Sequence, residues 1–367
     1  MDYAQGRVTT LHDFGGADPD APVERATVVV PMTDREYAGL AAEGVLHALE
    51  RVGPAHVLVP LRAPAEKVAR FADWLDSFDL PLTVLWCNGP GVVDVLDANG
   101  LDPTGGKGRD VWLALGLAAE RGQYVVLNDA DNRTYAPADV RRLLYPLAEG
   151  FTFAKAFFAR VENDRLYGRL FRLLYAPLLE ALADAHDAPV LDYLGAFRYA
   201  LAGECAMTAD LATSVRVQRR WGLEVGTLGE AYAVAGSEGV AQVDLGRYEH
   251  DHRAVSGPTG LSEMSRGVTS ALFRVVSEAG VQPDYETLPR RYRETAHRFV
   301  RRYATDAGFN GLAYDREHER SQVETYADAV MPPGPDTRLP AWDDAPIDPV
   351  DVRRAGAADL ARVRQEG

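Results

Sequence analysis

The chain reads as an α/β protein with a mainly parallel central sheet and helices on both faces. Three observations predict this. Short uncharged runs rich in β-branched residues recur at 26–31 (ATVVVP), 56–61 (HVLVPL), 82–87 (LTVLWC) and 123–128 (QYVVLN), as strands buried on both faces should. Stretches of helical period separate them, long enough for the crossovers that parallel pairing requires. Hydrophobic residues make up 47% of the 367 positions, ample apolar surface to offset the entropy of ordering.

The first strand, 26–31, is followed by Thr33 and Glu36, a capping-box pair ahead of an amphipathic helix over 37–51. Strand 56–61, helix 65–78 and strand 82–87 come next. The glycine-rich GGKG at 105–108 then opens a helix over 109–121, and strand 123–128 follows. Ligands of such sheets bind beyond the carboxyl ends of the strands, so residues 31–34, the segment after Leu61, and residues 129–131 are expected along one rim. Further on, the alternation loosens. Strands are predicted at 151–158, 195–202 and 240–245, and helices at 166–185, 222–235, 261–278 and 289–304. The Pro/Asp-rich stretch 331–348 reads as an extended linker before a short helix over 350–364.

Composition narrows the function. There are 54 acidic against 39 basic residues, a net charge of -15, which argues against a general polyanion binder. Of those basic residues only Lys67, Lys107 and Lys155 are lysines. An Asp-rich, Lys-poor surface fits a salt-rich cytoplasm, with a GC-rich genome as the plainer alternative. Two cysteines, Cys87 and Cys205, make no disulfide scaffold. Neither a secretory leader nor an apolar run of membrane-spanning length is seen, so the expected localisation is cytoplasmic.

The sharpest chemical feature is VVLNDAD at 125–131. A buried strand ending in Asp129 and Asp131 sets two carboxylates at the rim, where they repel unless a cation intervenes. Mg²⁺ or Mn²⁺ with substrate phosphates would suit them, although NDADN also makes a plain turn. Lys107 and Gly108 at a helix start suit a diphosphate, but the Walker A spacing is absent. In GRYEHDHR at 246–253, either His250 or His252 is a candidate partner for an Asp131 metal, and Arg247 or Arg253 for an anion. Glu224 is a lone carboxylate opening an apolar helix.

In order along the chain, VVVPMTDRE, GGKGRDVWLALGLAAERGQYVVLNDAD, ALAGECAMTADLA, WGLEVGTLGEAY and VAQVDLGRYEHDHR resemble the retaining glucosyl-3-phosphoglycerate synthases. The resemblance runs over roughly residues 25–280. It implies a GT-A fold, Rossmann-like and nucleotide-sugar-binding, with a donor half to about 131 and an acceptor half to 280. Beyond them lie a helical extension at 281–330, then the linker and terminal helix. The implied reaction moves glucose from UDP-glucose to 3-phosphoglycerate with a divalent cation, Mg²⁺ or Mn²⁺, in compatible-solute synthesis by a homodimer.

Position by position, the resemblance implies Asp131 and His250 as metal ligands. Pro31, Asp34, Lys107, Gly108, Asp129, Ala130, Gly203 and Glu204 would serve the donor. Arg169, His252 and Arg253 would bind the acceptor, and Glu224 would orient donor hydroxyls or stabilise an oxocarbenium-like centre without a protein nucleophile. The sequence departs from the family at Ala130 for serine, at Phe171 for an acceptor-binding threonine, and at His252 for asparagine. Alternatives are a mannosyl-3-phosphoglycerate synthase or another small-acceptor transferase, a sugar-phosphate nucleotidyltransferase, and a non-catalytic nucleotide-sugar sensor.

Overall fold

A computed structural model describes residues 5–251 and 258–366, without the side chains of 258–260. In chain order the strands are β1 (Thr9–Leu11), β2 (Ala26–Val29), β3 (Met32–Thr33), β4 (His56–Arg62), β5 (Leu82–Trp86), β6 (Tyr124–Leu127), β7 (Phe153–Ala159), β8 (Val161–Glu162), β9 (Arg165–Leu166), β10 (Cys205–Thr208) and β11 (Val240–Arg247). Nine of them form one sheet in the order β1-β11-β7-β10-β6-β2-β4, with β3 prolonging the edge that β2 presents to β4, and β5 on the other side of β4. Every pairing in it is parallel except those of β10, which runs antiparallel to β6 and β7. The expected, mainly parallel sheet is present.

The helices are α1 (Leu40–Val52), α2 (Ala65–Leu75), α3 (Pro90–Ala98), α4 (Lys107–Ala119), α5 (Pro137–Ala148), α6 (Ala176–Ala183), α7 (Pro189–Gly195), α8 (Ala209–Ser214), α9 (Leu223–Ala235), α10 (Pro258–Glu278), α11 (Leu288–Phe309), α12 (Arg316–Ala327) and α13 (Pro349–Glu366). Alternation along each strand divides the core in two. Val28 and Val30 join α1, α2 and α5 on one face, while Val29 joins α4 and α9 to α12 on the other. A π-helical turn, Leu170–Tyr175, leads into α6.

Two local expectations are corrected. Residues 195–202 are not a strand: Pro189 starts α7, turns follow it, and the strand is Cys205–Thr208. Short apolar runs do not distinguish a buried helix end from a strand by period. Glu36 does accept from the Thr33 N–H at 2.6 Å, but the box closes a turn only. Ala38 takes a left-handed φ of 48° and α1 begins at Leu40. Helices α3, α5, α7, α8 and α12 are present without a sequence expectation for them.

The stretch 331–348 is extended, as expected, yet it is a packed strap. Trp342 stacks on Trp112 of α4, with ring centroids 4.2 Å apart and planes within 9°. The two indoles donate to the carbonyls of Trp112 and Pro340 at 2.7 Å, and Leu339 bridges to Val217. The Arg338 side chain, 3% exposed, pairs with Glu230 and Glu278 and with Asp336. Beyond the strap, α13 packs on α2 and α3. Its Asp359 accepts from the N–H groups of Gly91 and Val92 at 2.8 and 3.2 Å, capping α3 from 268 residues away.

Candidate active site

The carboxyl-end rim is where the sequence placed it. β6 runs out at Leu127, and Asp129, Ala130 and Asp131 follow in a turn. After β11 the chain pairs with this turn. Asp251 donates to the Asp131 carbonyl at 2.8 Å, Arg133 donates to the Glu249 carbonyl at 2.8 Å, and Asn132 bridges to His250. That short ladder brings His250 Nδ1 to 3.2 Å from Asp131 Oδ2. Tyr248, stacked on Phe158, meets the His250 ring edge-on at 4.7 Å. Burial would raise the Asp131 carboxyl, but the His250 hydrogen bond and the Lys107 charge hold it below the usual carboxylate range.

Lys107 is the first residue of α4. Its ammonium donates to Asp129 Oδ1 at 2.6 Å and lies 3.9 Å from Glu224 Oε1. Burial works against this charge, yet Asp129 and Glu224 outweigh it and keep the ammonium well above the ordinary lysine range. Glu204, 1% exposed, lies beneath and is pushed up to about 8 by burial and by Asp129. Gly203 makes room for this packing: a Cβ there would sit 2.4 Å from Asp129 Oδ2. Lys155 is buried in β7 opposite Cys205, donates to the Ala202 carbonyl, and is drawn below the ordinary lysine range by burial. It stands behind the Gly203-Glu204 turn, in the sheet.

Two cavities meet here. One of about 220 Å³ is lined by Pro31, Met32, Thr33, Lys107, Ala130 and Asp131, among others. Arg62, Glu36 and Asp110 also reach it, and Arg62 Nε donates to Asp110 at 2.8 Å. The other, about 360 Å³, lies beyond Glu224 and includes Arg160, Arg169, Tyr199, Trp221 and Gln322. Lys107 lines the first and Glu224 the second, and their charged groups lie 3.9 Å apart. Arg169 is held from α12, with Nε 3.3 Å from Glu319 and Nη1 2.9 Å from His318.

Not every expected residue reaches the site in the expected way. Asp34 does not line the cavity; it pairs with Lys67 at 2.6 Å, and Thr33 and Glu36 take its place. At Gly108 a Cβ would lie 1.7 Å from the Gln218 carbonyl oxygen, so packing against protein already demands glycine there. His252 and Arg253 lie outside the described residues. Arg62 falls on the rim expected after Leu61, Arg160 is signalled only by its place just after β7, and no motif marks Gln322.

A single ammonium stands among Asp129, Asp131 and Glu224, an arrangement that repels an anionic diphosphate until a cation is added. Among the described residues no group of three or more His, Cys, Asp or Glu is arranged to hold a metal. One carboxylate and one imidazole fit a hard divalent ion whose shell is completed by substrate oxygens and water. No helix among the described residues is long and apolar enough to cross a membrane.

No family model matches the chain. It is similar to the glucosyl-3-phosphoglycerate synthase of Methanococcoides burtonii, 34% identical over 376 aligned residues, covering 93% of each protein. The glucosyl-3-phosphoglycerate synthase of Persephonella marina is 30% identical over 355 residues, 89% of this chain and 88% of that one. The solved Mycobacterium tuberculosis glucosyl-3-phosphoglycerate synthase, in complex with Mn²⁺, UDP and glucosyl-3-phosphoglycerate, has the same fold. Its TM-score is 0.56 at 24% identity, over 76% of this chain and 89% of that one.

Proposed function

The chain belongs to the glucosyl-3-phosphoglycerate synthase family, and we propose that it transfers glucose, with retention, from UDP-glucose to 3-phosphoglycerate. The observation that carries this reading is the pair of cavities meeting at Lys107 and Glu224, with Asp131 and His250 facing each other on the donor side. The mycobacterial enzyme of the same fold, solved with Mn²⁺, UDP and glucosyl-3-phosphoglycerate, supports this reading.

In this reading Pro31, Thr33 and Ala130 shape the nucleotide side, and Arg62 and Lys107 face the diphosphate. Asp131 and His250 would hold Mg²⁺ or Mn²⁺, which supplies charge neutralisation as the diphosphate departs. Lys107 is held in place by Asp129 and adds a fixed positive charge without reorganising. Glu224 faces the anomeric centre, where its carboxylate stabilises developing positive charge. Arg169 draws the acceptor anion into the larger cavity, so that its hydroxyl approaches from the side the leaving group vacates. The leaving phosphate takes the hydroxyl proton, and no protein nucleophile is required. A cytoplasmic homodimer completes the reading.

The test is UDP release from UDP-glucose with and without 3-phosphoglycerate, in Mn²⁺ and in EDTA, alongside GDP-mannose. Release that needs both acceptor and metal supports the proposal. Release without acceptor, or binding without turnover, would favour a hydrolase or a sensor, and preference for GDP-mannose would move the donor assignment.

A further inference from the structure

The larger cavity contains a wall that the five motif blocks do not reach. Helix α12 turns Glu319, Gln322 and Tyr326 towards the acceptor side, spaced as one face of a helix requires. Glu319 pairs with Arg169 and, through two bonds of 3.0 and 3.1 Å, with the buried Arg172. Tyr326 and Gln322 line the cavity with Arg160, Gly168, Arg169 and Glu224. Gln322 is only 7% exposed, and its amide Nε2 has no hydrogen-bond partner. The Nε of Arg160 is likewise buried and unbonded. Burying a donor unpaired is costly, and both donors belong to residues that line one cavity, so a ligand entering it and accepting from both would remove that cost.

We propose that Gln322 is an acceptor-binding residue, its amide donating with Arg160 and Arg169 to an anionic oxygen of the phosphorylated hydroxy-acid acceptor. The assignment rests on the transferase reading and deepens it. It also accounts for Phe171. The family resemblance calls for a threonine hydroxyl there, whereas here the ring stacks on Tyr175 and packs beside Tyr199. The donor lost from that segment is supplied instead from the C-terminal extension. Glu319 is a positioning residue in this scheme, because it reaches the acceptor only through Arg169.

Initial rates with varied 3-phosphoglycerate at saturating UDP-glucose test the assignment in the full chain. Gln322→Leu keeps the volume and removes the donor. It is expected to raise KM for 3-phosphoglycerate about tenfold, the usual loss for a hydrogen bond to a charged group. KM for UDP-glucose and kcat should stay within about twofold of the parent. Gln322→Glu, which sets a carboxylate against the anion, should raise the acceptor KM by a further factor of about ten. An unchanged acceptor KM in Gln322→Leu overturns the assignment, as does a joint change in both KM values and kcat, which would mark a structural role. Parent enzyme that turns over 3-phosphoglycerate while Gln322→Leu is unaffected sinks this assignment alone. Parent enzyme that neither binds nor glucosylates 3-phosphoglycerate sinks the transferase reading, and this assignment with it.

Discussion

Asp131 is where one side chain decides the most. Its carboxylate faces His250 at 3.2 Å, and Asp131→Ala should lower metal-dependent kcat/KM by at least about 10³-fold, as expected when charge neutralisation is lost. Steady-state rates over a Mn²⁺ titration check it, and full activity in that variant would refute the metal assignment. Lys107 tests a different property. Its compact ammonium fits between Asp129 and Glu224, so Lys107→Arg should not restore activity lost in Lys107→Met, each falling roughly 10²-fold. Near-parental rates in the arginine variant would mean that charge alone suffices. Away from the site, burial and the nearby Arg121 guanidinium push the His56 imidazole down to about 4 from an ordinary 6.5. The unfolded chain therefore takes up this proton first. The stability contributed by neutral His56 is full above pH 6.5 and is lost as pH falls towards 4. Denaturant unfolding at pH 7 and pH 4.5 should show His56→Gln losing less stability on acidification than the parent, by at most about 3 kcal/mol.

Among the elements, the strap is the clearest test of packing. Trp342→Ala removes a ring stacked on Trp112 and should cost about 3–5 kcal/mol in unfolding experiments. A loss below about 1 kcal/mol would mean the strap is held elsewhere, for instance by Arg338. The same elements show what sequence can reveal. Strands β2, β4, β5 and β6 announce themselves because burial on both faces demands uninterrupted apolar runs, and the Asp129–Asp131 turn because carboxylates at a strand end are chemically conspicuous. Strand β10 escapes because a four-residue antiparallel strand carries no distinctive period. The Lys107–Glu224 contact and the seating of Arg169 against Glu319 escape for another reason. They depend on α4, α9 and α12 meeting across long stretches of chain, and no local pattern records such a meeting. Asp34 misleads in the opposite way, since its place beside Pro31 suggests a ligand contact while its side chain pairs with Lys67.

At the scale of the whole molecule, a net charge of -15 means self-repulsion that mobile ions screen. Melting temperature should therefore rise by several degrees from about 10 mM to about 1 M KCl, as the screening length shrinks from roughly 30 to 3 Å. A flat or falling curve would assign the Asp-rich composition to codon usage instead of salt. The cap that Asp359 places on α3 has a consequence for biosynthesis. Helix α3 follows β5, an early strand of the sheet, but the carboxylate that satisfies its first N–H groups belongs to a residue translated 268 positions later. A nascent chain can pair β2, β4 and β5 as they emerge, yet the end of α3 stays open until Asp359 has been made. Ribosome-bound chains stopped before Pro349 should then expose α3 to protease, and chains extended past α13 should close it.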